Sequence, residues 1–300
     1  MRLKELYNSA VQRLVTAEIS DPQLEVAVLL GHVLGMNRSQ LFLAAEQNVS
    51  QTQIHSFEKK LQRRLQREPT AYILGECEFW SLPFKVSQDV LIPRPETEFL
   101  IEMTLRMVRQ QVDALPGPIL DLCTGSGVIA VILAREMEQC FEIYGADYSL
   151  HALRVAQANA ALHRVAERVR YINSDLFSAF SPRAQFGLIV SNPPYVERGL
   201  LETDNYAASA VLQPEVVGHE PHLALDGGKQ GREVIARIAV GLPGMLKPGG
   251  WFFMEIGAGQ AGFVMELFHS LSCFDTMHIY HDYGGLPRVF QARRQGVESA

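Results

Sequence analysis

Cysteine is scarce in these 300 residues: Cys77, Cys123, Cys140 and Cys273 lie far apart, and no two form a CxxC pair. That spacing suggests neither a zinc knuckle nor a disulfide framework, so no metal site is expected and a reducing compartment fits. No apolar run approaches the ~18 residues of a membrane span. The opening "MRLKELYNSAVQRL" reads as an amphipathic helix rather than a charged region followed by an apolar signal core. A cytoplasmic chain without membrane contact is expected. Positive charge is not in excess either, since the formal net charge is -6. That balance argues against broad attraction to nucleic acid phosphates, and no direct DNA binding is expected. The one dense basic stretch, "KKLQRRLQR" from Lys59 to Arg67, puts Lys60, Arg63, Arg64 and Arg67 near one helix face. We read it as a solvated face, the alternative being a surface that meets an acidic partner or RNA.

What is present is ordinary globular material. The chain is 47% hydrophobic and 20% charged, with 23 Gly and 15 Pro, which excludes a mainly disordered or collagen-like protein. Its length suggests two domains in a monomeric chain. Residues 1–75 carry apolar residues at helical spacing, as in Leu24, Val26, Ala27, Leu29, Leu30, Val33 and Leu34. Ser20 or Asp21 supplies an N-cap there, with Pro22 in the first turn. This part reads as a small helical bundle, either a packing accessory or a module that selects a protein partner. Residues 76–95, within "EFWSLPFKVSQDVLIPRPETE", alternate apolar and polar positions and are broken by prolines, as a β-hairpin linker would be.

From 96 to 295 strand-like and helix-like segments alternate: "PILDLCT", "GVIAVILAREM", "CFEIYGAD", "SLHALRVAQANAALH", "RVRYINSDLF", "FGLIVSNPPY", a helix near Arg232 to Leu246, and "GGWFFMEIG". The fold class expected is α/β, a Rossmann-like parallel sheet covered by helices on both faces. "DTMHIYHDY" and "RVFQARR" add an antiparallel pair at its edge. Ligands of such sheets sit beyond the carboxyl ends of the strands.

The first such loop is "DLCTGSGVIA". Gly125 and Gly127 allow a tight turn and close backbone approach, and the following helix offers unpaired amides. Cys123, Thr124, Ser126 and the two glycines would line a nucleotide-like ligand. Asp147, twenty residues beyond Gly127, is placed to accept from two ribose hydroxyls. Gly125, Gly127 and Ala130 also satisfy the dinucleotide pattern G-x-G-x-x-A, so a nicotinamide dehydrogenase competes with an S-adenosylmethionine enzyme. Asp121 suits the second, because a carboxylate before the turn can pair with that ligand's ammonium. In "NSDLF", Asp175 could accept an adenine amino group while Leu176 covers the ring.

"SNPPY" closes the argument. Pro193 and Pro194 fix the backbone after a buried strand and hold Asn192 in one pose. The Asn192 side-chain oxygen and the Pro193 carbonyl can together receive both hydrogens of a planar NH₂ group, with Tyr195 lying against its plane. Such a grip orients a weakly nucleophilic amide nitrogen toward a sulfonium methyl, and orientation can recover on the order of 7–11 kcal/mol of barrier.

With "GECEFWSLPFKV", "LIPRPETE", "DLCTGSGVIA", "YGAD", "SDLF", "SNPPY", "HEPHLAL" and "DYGGLPRVF", the chain resembles the HemK-type release-factor glutamine N5-methyltransferases. The resemblance implies a class I methyltransferase domain, S-adenosylmethionine held by Cys123 to Gly127, Asp147 and Leu176, and Asn192 bordering it. It implies a glutamine gripped by Asn192 to Tyr195, the target being the Gly-Gly-Gln motif of peptide-chain release factors. Phe79, Arg94 and Glu98 would surround that pocket. Cys123 stands where these enzymes more often have Gly and resembles a sister branch that methylates a large-subunit ribosomal protein. "PRPETE" favours the release-factor branch. Asn-Pro-Pro-Tyr alone also occurs in DNA adenine methyltransferases, the remaining alternative.

Overall fold

The computed structural model describes residues 1–110, 115–137, 141–182, 186–202 and 212–296. They fall into two compact units, one of residues 1–76 with 212–219, the other of residues 77–202 with 220–296.

In the first unit the helices Leu3–Thr16, Pro22–Leu34 and Gln51–Leu65 bury Leu6, Leu14, Leu29, Leu30, Phe57 and Leu61 against one another. Residues three and four apart share a helix face, which is why these positions meet. Leu24, from the same periodic set, points outward and is 50% exposed. Asp21 precedes the second helix in the left-handed region, φ 50°, and makes no side-chain cap; Pro22 begins the helix. The basic stretch is not a solvated face. Arg64 is buried between the carboxylates of Glu25 at 3.2 Å and Glu215 at 3.1 Å, Arg67 reaches Glu215 at 3.4 Å, and Arg63 grips Glu68. Glu215 is 151 residues from Arg64, so a local reading of charge could not find it. It is also what ties segment 212–219 into this unit, although the expected division left all of 96–295 together.

A hairpin follows, β1 (Glu76–Phe79) and β2 (Leu82–Lys85). Its two-residue turn has φ 56° at both Trp80 and Ser81. That is the turn geometry that matches strand twist, usually filled by Asn and Gly. Glu98 stabilises it by accepting from the Trp80 amide. Asn159, fully buried, pairs with the backbone of Lys85 in both directions and donates to the Ser126 carbonyl, tying hairpin and glycine loop to the helix Leu150–Leu162.

The large sheet contains β3 (Ile119–Leu122), β4 (Ile143–Asp147), β5 (Val169–Asn173), β6 (Phe186–Ser191), β7 (Leu246–Glu255), β8 (Phe274–His281) and β9 (Pro287–Arg294). Among the described residues its order is β5-β4-β3-β6-β7-β9-β8. The first five are mutually parallel, and β9 pairs antiparallel with both β7 and β8. Successive side chains alternate between the faces. Thus Ile119, Leu188, Val190 and Phe253 pack beneath the helices Pro95–Gln110 and Val128–Glu136. Leu120, Ile189, Phe252 and Met254 pack beneath Glu233–Met245 and Ala261–Ser270. The expected doubly covered α/β sheet is therefore present. The strand order reverses between β4 and β6 on either side of β3, and the loops that follow these strands open a crevice. Among the described residues no helix is long and apolar enough to cross a membrane.

Candidate functional site

A cavity of about 760 Å³ lies at that reversal point. It is lined by Cys123, Thr124, Gly125 and Ser126 after β3, by Asp147 after β4, by Asp175 and Leu176 after β5, and by Asn192 and Pro194 after β6. Four separate loops thus converge because parallel strands end on one edge.

The glycine loop turns through the left-handed region at Cys123 (φ 63°), Gly125 (φ 54°) and Gly127 (φ 81°). A Cβ at Gly127 would stand 2.9 Å from that of Ala156, so this glycine is a packing requirement. At Gly125 a Cβ would meet nothing within 4 Å, and there the backbone itself faces open space. Cys123 occupies a conformation that disfavours side chains. Burial pushes its thiol well above the usual range, with Asp147 adding to the shift, which leaves it protonated and unreactive.

Asp121 is fully buried and does not line the cavity. One oxygen, Oδ2, accepts from the Thr124 hydroxyl at 2.5 Å and from the Ala130 amide at 3.0 Å, stapling loop to helix. The other, Oδ1, is buried without a partner among the described residues. Burial raises its pKa to about 7 against the opposing pull of those two hydrogen bonds. Asp147 lines the wall and also organises it, accepting from the Gly125 amide at 2.9 Å and the Ser149 amide at 2.8 Å. Burial raises its pKa too. Each Asp147 oxygen keeps a lone pair for a ligand hydroxyl. Asp175 reaches the cavity, but its carboxylate is half-exposed and both oxygens are taken by Arg237 at 2.8 and 2.7 Å.

Asn192 lines the cavity and its side-chain nitrogen donates to the Thr97 hydroxyl at 3.0 Å. Pro193 and Tyr195 stand behind the wall rather than on it. Tyr195 does not lie across an open face, because its hydroxyl is drawn to Glu255 Oε1 at 3.0 Å. The Tyr195 carbonyl is held by Gln260, which also bonds the Gly231 carbonyl. A Cβ at Gly231 would lie 2.0 Å from that Tyr195 oxygen, so only glycine fits.

Phe79, Arg94 and Glu98 do not line the pocket either; they hold its surroundings. Phe79 packs edge-on against Phe84 in the core. Arg94 closes on Glu220, and Glu220 also accepts from the Ile92 amide, so "PRP" and "HEP" are fastened together beside the wall formed by Pro93 and Pro221. Thr97, Asn159, Glu255 and Gln260 escaped sequence reasoning. Glu255 carried a detectable signal, a carboxylate closing the apolar run "WFFME", which buries a charge in need of partners.

The residues present suit S-adenosylmethionine. An open backbone face at Gly125, the acid at Asp147 and an apolar Leu176 can accommodate the sulfonium amino acid, ribose and base respectively. Comparison with known proteins agrees. Residues 97–214 match the methyltransferase small domain family. A methyltransferase from Pyrococcus furiosus shares the fold at a TM-score of 0.50 and 15% identity, covering 80% of this chain and 100% of that one. The fold is that of a methyltransferase.

The remaining matches are more specific. Residues 5–75 match the PrmC N-terminal domain. The release factor glutamine methyltransferase of Koribacter versatilis is 40% identical over 98% of this chain and 99% of its own, and that of Chlorobaculum tepidum is 38% identical over 97% of each. The chain belongs to the release factor glutamine methyltransferase family.

Proposed function

We propose that this chain transfers a methyl group from S-adenosylmethionine to the side-chain amide nitrogen of the glutamine in the Gly-Gly-Gln motif of peptide-chain release factors. The observation that carries the reading is the orientation of Asn192. Its nitrogen is committed to Thr97, and among the described residues no group donates to its oxygen, although the residue lines the cavity. That oxygen suits one hydrogen of a carboxamide NH₂; the Pro193 carbonyl, expected to take the other, is set behind the wall. A carboxylate side chain would leave the Asn192 oxygen unpaired, at about 1–3 kcal/mol.

S-adenosylmethionine, when bound, would supply a methyl on positive sulfur to the amide nitrogen, the new N–C bond replacing the C–S bond whose electron pair stays on sulfur, and the nitrogen would lose one proton to solvent. Cys123 to Gly127, Asp147 and Leu176 hold that cofactor in our reading, with Asp121 supporting the turn from below. No general base is required before attack, since the nitrogen becomes acidic only when methylated. Pro194 shapes the wall beside Asn192, while Tyr195 steadies it from behind. Residues 1–75 select the protein partner, residues 76–95 link, and residues 96–295 carry the transfer. The chain acts as a monomer in the cytoplasm and makes no direct contact with DNA.

The test is transfer of labelled methyl from S-adenosylmethionine to a purified release factor. One methyl on the Gly-Gly-Gln glutamine is expected, and none when that glutamine is replaced by alanine. Label on a large-subunit ribosomal protein or on nucleic acid, with the release factor unlabelled, overturns the reading.

A further inference from the structure

Four side chains from distant parts of the sequence form one hydrogen-bonded line that runs from the cavity wall, at Asn192 and Thr97, back to Glu255 and Tyr195. Glu255, the last residue of β7, is completely buried. Its Oε2 accepts from the Thr97 hydroxyl at 2.7 Å and its Oε1 from the Tyr195 hydroxyl at 3.0 Å. A hydroxyl has a single hydrogen to give. Once Thr97 has given its own to Glu255, its oxygen can only accept, and the neighbour it accepts from is the Asn192 carboxamide at 3.0 Å. The two ends of a carboxamide have nearly the same shape, so sterics alone do not choose between them. The direction of this proton chain does choose, and Thr97, at the edge of the cavity, is itself buried.

We propose that Glu255 is a positioning residue: acting through Thr97, it holds the Asn192 carboxamide with oxygen rather than nitrogen toward the cavity, and so selects a substrate offering NH₂ over one offering a carboxylate. The inference rests on the function proposed above. A neutral amide at position 255 has the same outline but presents N–H groups. An N–H directed at Thr97 leaves the threonine hydrogen free to be donated to Asn192. The Asn192 oxygen then turns inward to receive it, and its NH₂ faces the cavity. With a donor in place of the Asn192 acceptor, the wall serves the oxygen of a glutamate or a glutamine alike, and the preference for NH₂ is lost.

The experiment measures binding and turnover separately. Wild-type protein, Glu255→Gln and Thr97→Val are saturated with S-adenosylhomocysteine and titrated calorimetrically with a release factor carrying either the native glutamine or glutamate in its Gly-Gly-Gln motif. Wild-type protein should prefer glutamine by at least tenfold, and both variants should bring the preference within threefold. Turnover should fall at least thirtyfold in both, with cofactor affinity held within threefold. Thr97→Ser, which keeps the hydroxyl, should restore the preference lost in Thr97→Val. Thermal melts establish that each variant is folded. Should Glu255→Gln fail to fold, the Thr97→Val and Thr97→Ser pair decides alone. A folded variant with undiminished glutamine preference overturns the inference while wild-type methylation of the release factor stands. A wild-type protein that methylates no release factor overturns the functional reading first, and this inference with it.

Discussion

Arg94 and Glu220 close on one another across 126 positions of sequence, the carboxylate almost completely buried and the guanidinium 30% exposed. Burial raises the Glu220 pKa even though Arg94 and the Ile92 amide both pull it down. Arg94→Ala leaves that carboxylate with one backbone partner. Breaking a fully buried pair costs about 3–5 kcal/mol, and the partial exposure of Arg94 lowers the expected loss to about 2–3 kcal/mol. Urea denaturation should show it, with Glu220→Gln losing less because a neutral amide still accepts from Ile92.

Asn192→Ala removes the acceptor at the cavity wall without touching the glycine loop. Cofactor affinity should stay within a few fold, while methyl transfer falls at least about a hundredfold, or about 2.7 kcal/mol of transition-state stabilisation. Single-turnover measurements beside cofactor titrations separate the two. Near-normal turnover would exclude the proposed grip.

Asp147→Ala should act on the opposite side of the ledger. It deprives the Gly125 and Ser149 amides of their acceptor and removes the proposed ribose contact, so the dissociation constant for S-adenosylmethionine should rise at least about tenfold, about 1.4 kcal/mol. Asp147→Asn, retaining one acceptor oxygen, should fall between. An unchanged dissociation constant counts against the ribose assignment.

The buried acids predict a particular pH dependence. Glu255 has its pKa raised to about 7 by burial, with Glu96 adding to the shift while Thr97, Tyr195 and Arg288 oppose it. Unfolded, it titrates near the ordinary carboxylate value. Between those two values the native state keeps a proton the unfolded chain has lost, so this group's contribution to stability is full in acid and is lost as pH rises through about 7. Relative to Glu255→Gln, wild-type protein should lose about 2–3 kcal/mol between pH 5 and pH 8. Asp121 contributes in the same direction. Methyl transfer should move oppositely, increasing through about pH 7 as Glu255 ionises. Denaturation curves and rates collected on one set of buffers check both slopes.

Cys123 holds φ 63°, where a side chain costs about 1–3 kcal/mol and glycine costs none. The freedom glycine regains when unfolded offsets roughly 0.5–1 kcal/mol of that relief. Cys123→Gly should therefore leave the denaturation midpoint level or raise it. A loss exceeding about 1 kcal/mol would show that the packing of Cys123 against the core outweighs its backbone strain.

Much of the catalytic unit was legible because its signals are local. Continuous apolar runs separated by helical spacing gave the parallel sheet, and glycines and an acid at strand ends marked its loops. Asn192 was legible because two prolines after a buried strand have few other uses. The errors are equally physical. For Asp175 the sequence suggests an acceptor for an adenine amino group and gives no sign of Arg237, which pairs with it from 62 residues away. The Lys59 to Arg67 face was read as solvated, yet Arg64 is enclosed by acids from two other segments. Tyr195 was assigned to the wall, but Glu255 draws its hydroxyl the other way. Thr97 gave no signal at all, since a threonine in a helix acquires meaning only from what it touches.

The chain lays down β8 before β9, yet β9 occupies the inner place, with Val289 beside Glu255 and the Ile256 amide bonded to Arg288. During synthesis β7 therefore keeps a bare edge until residues 287–294 have left the ribosome, and a bare edge invites pairing with other chains. Everything that depends on a settled Glu255 must wait for that late insertion. A nascent chain halted in the β8–β9 turn would hold most of the pocket's residues and none of its finished alignment.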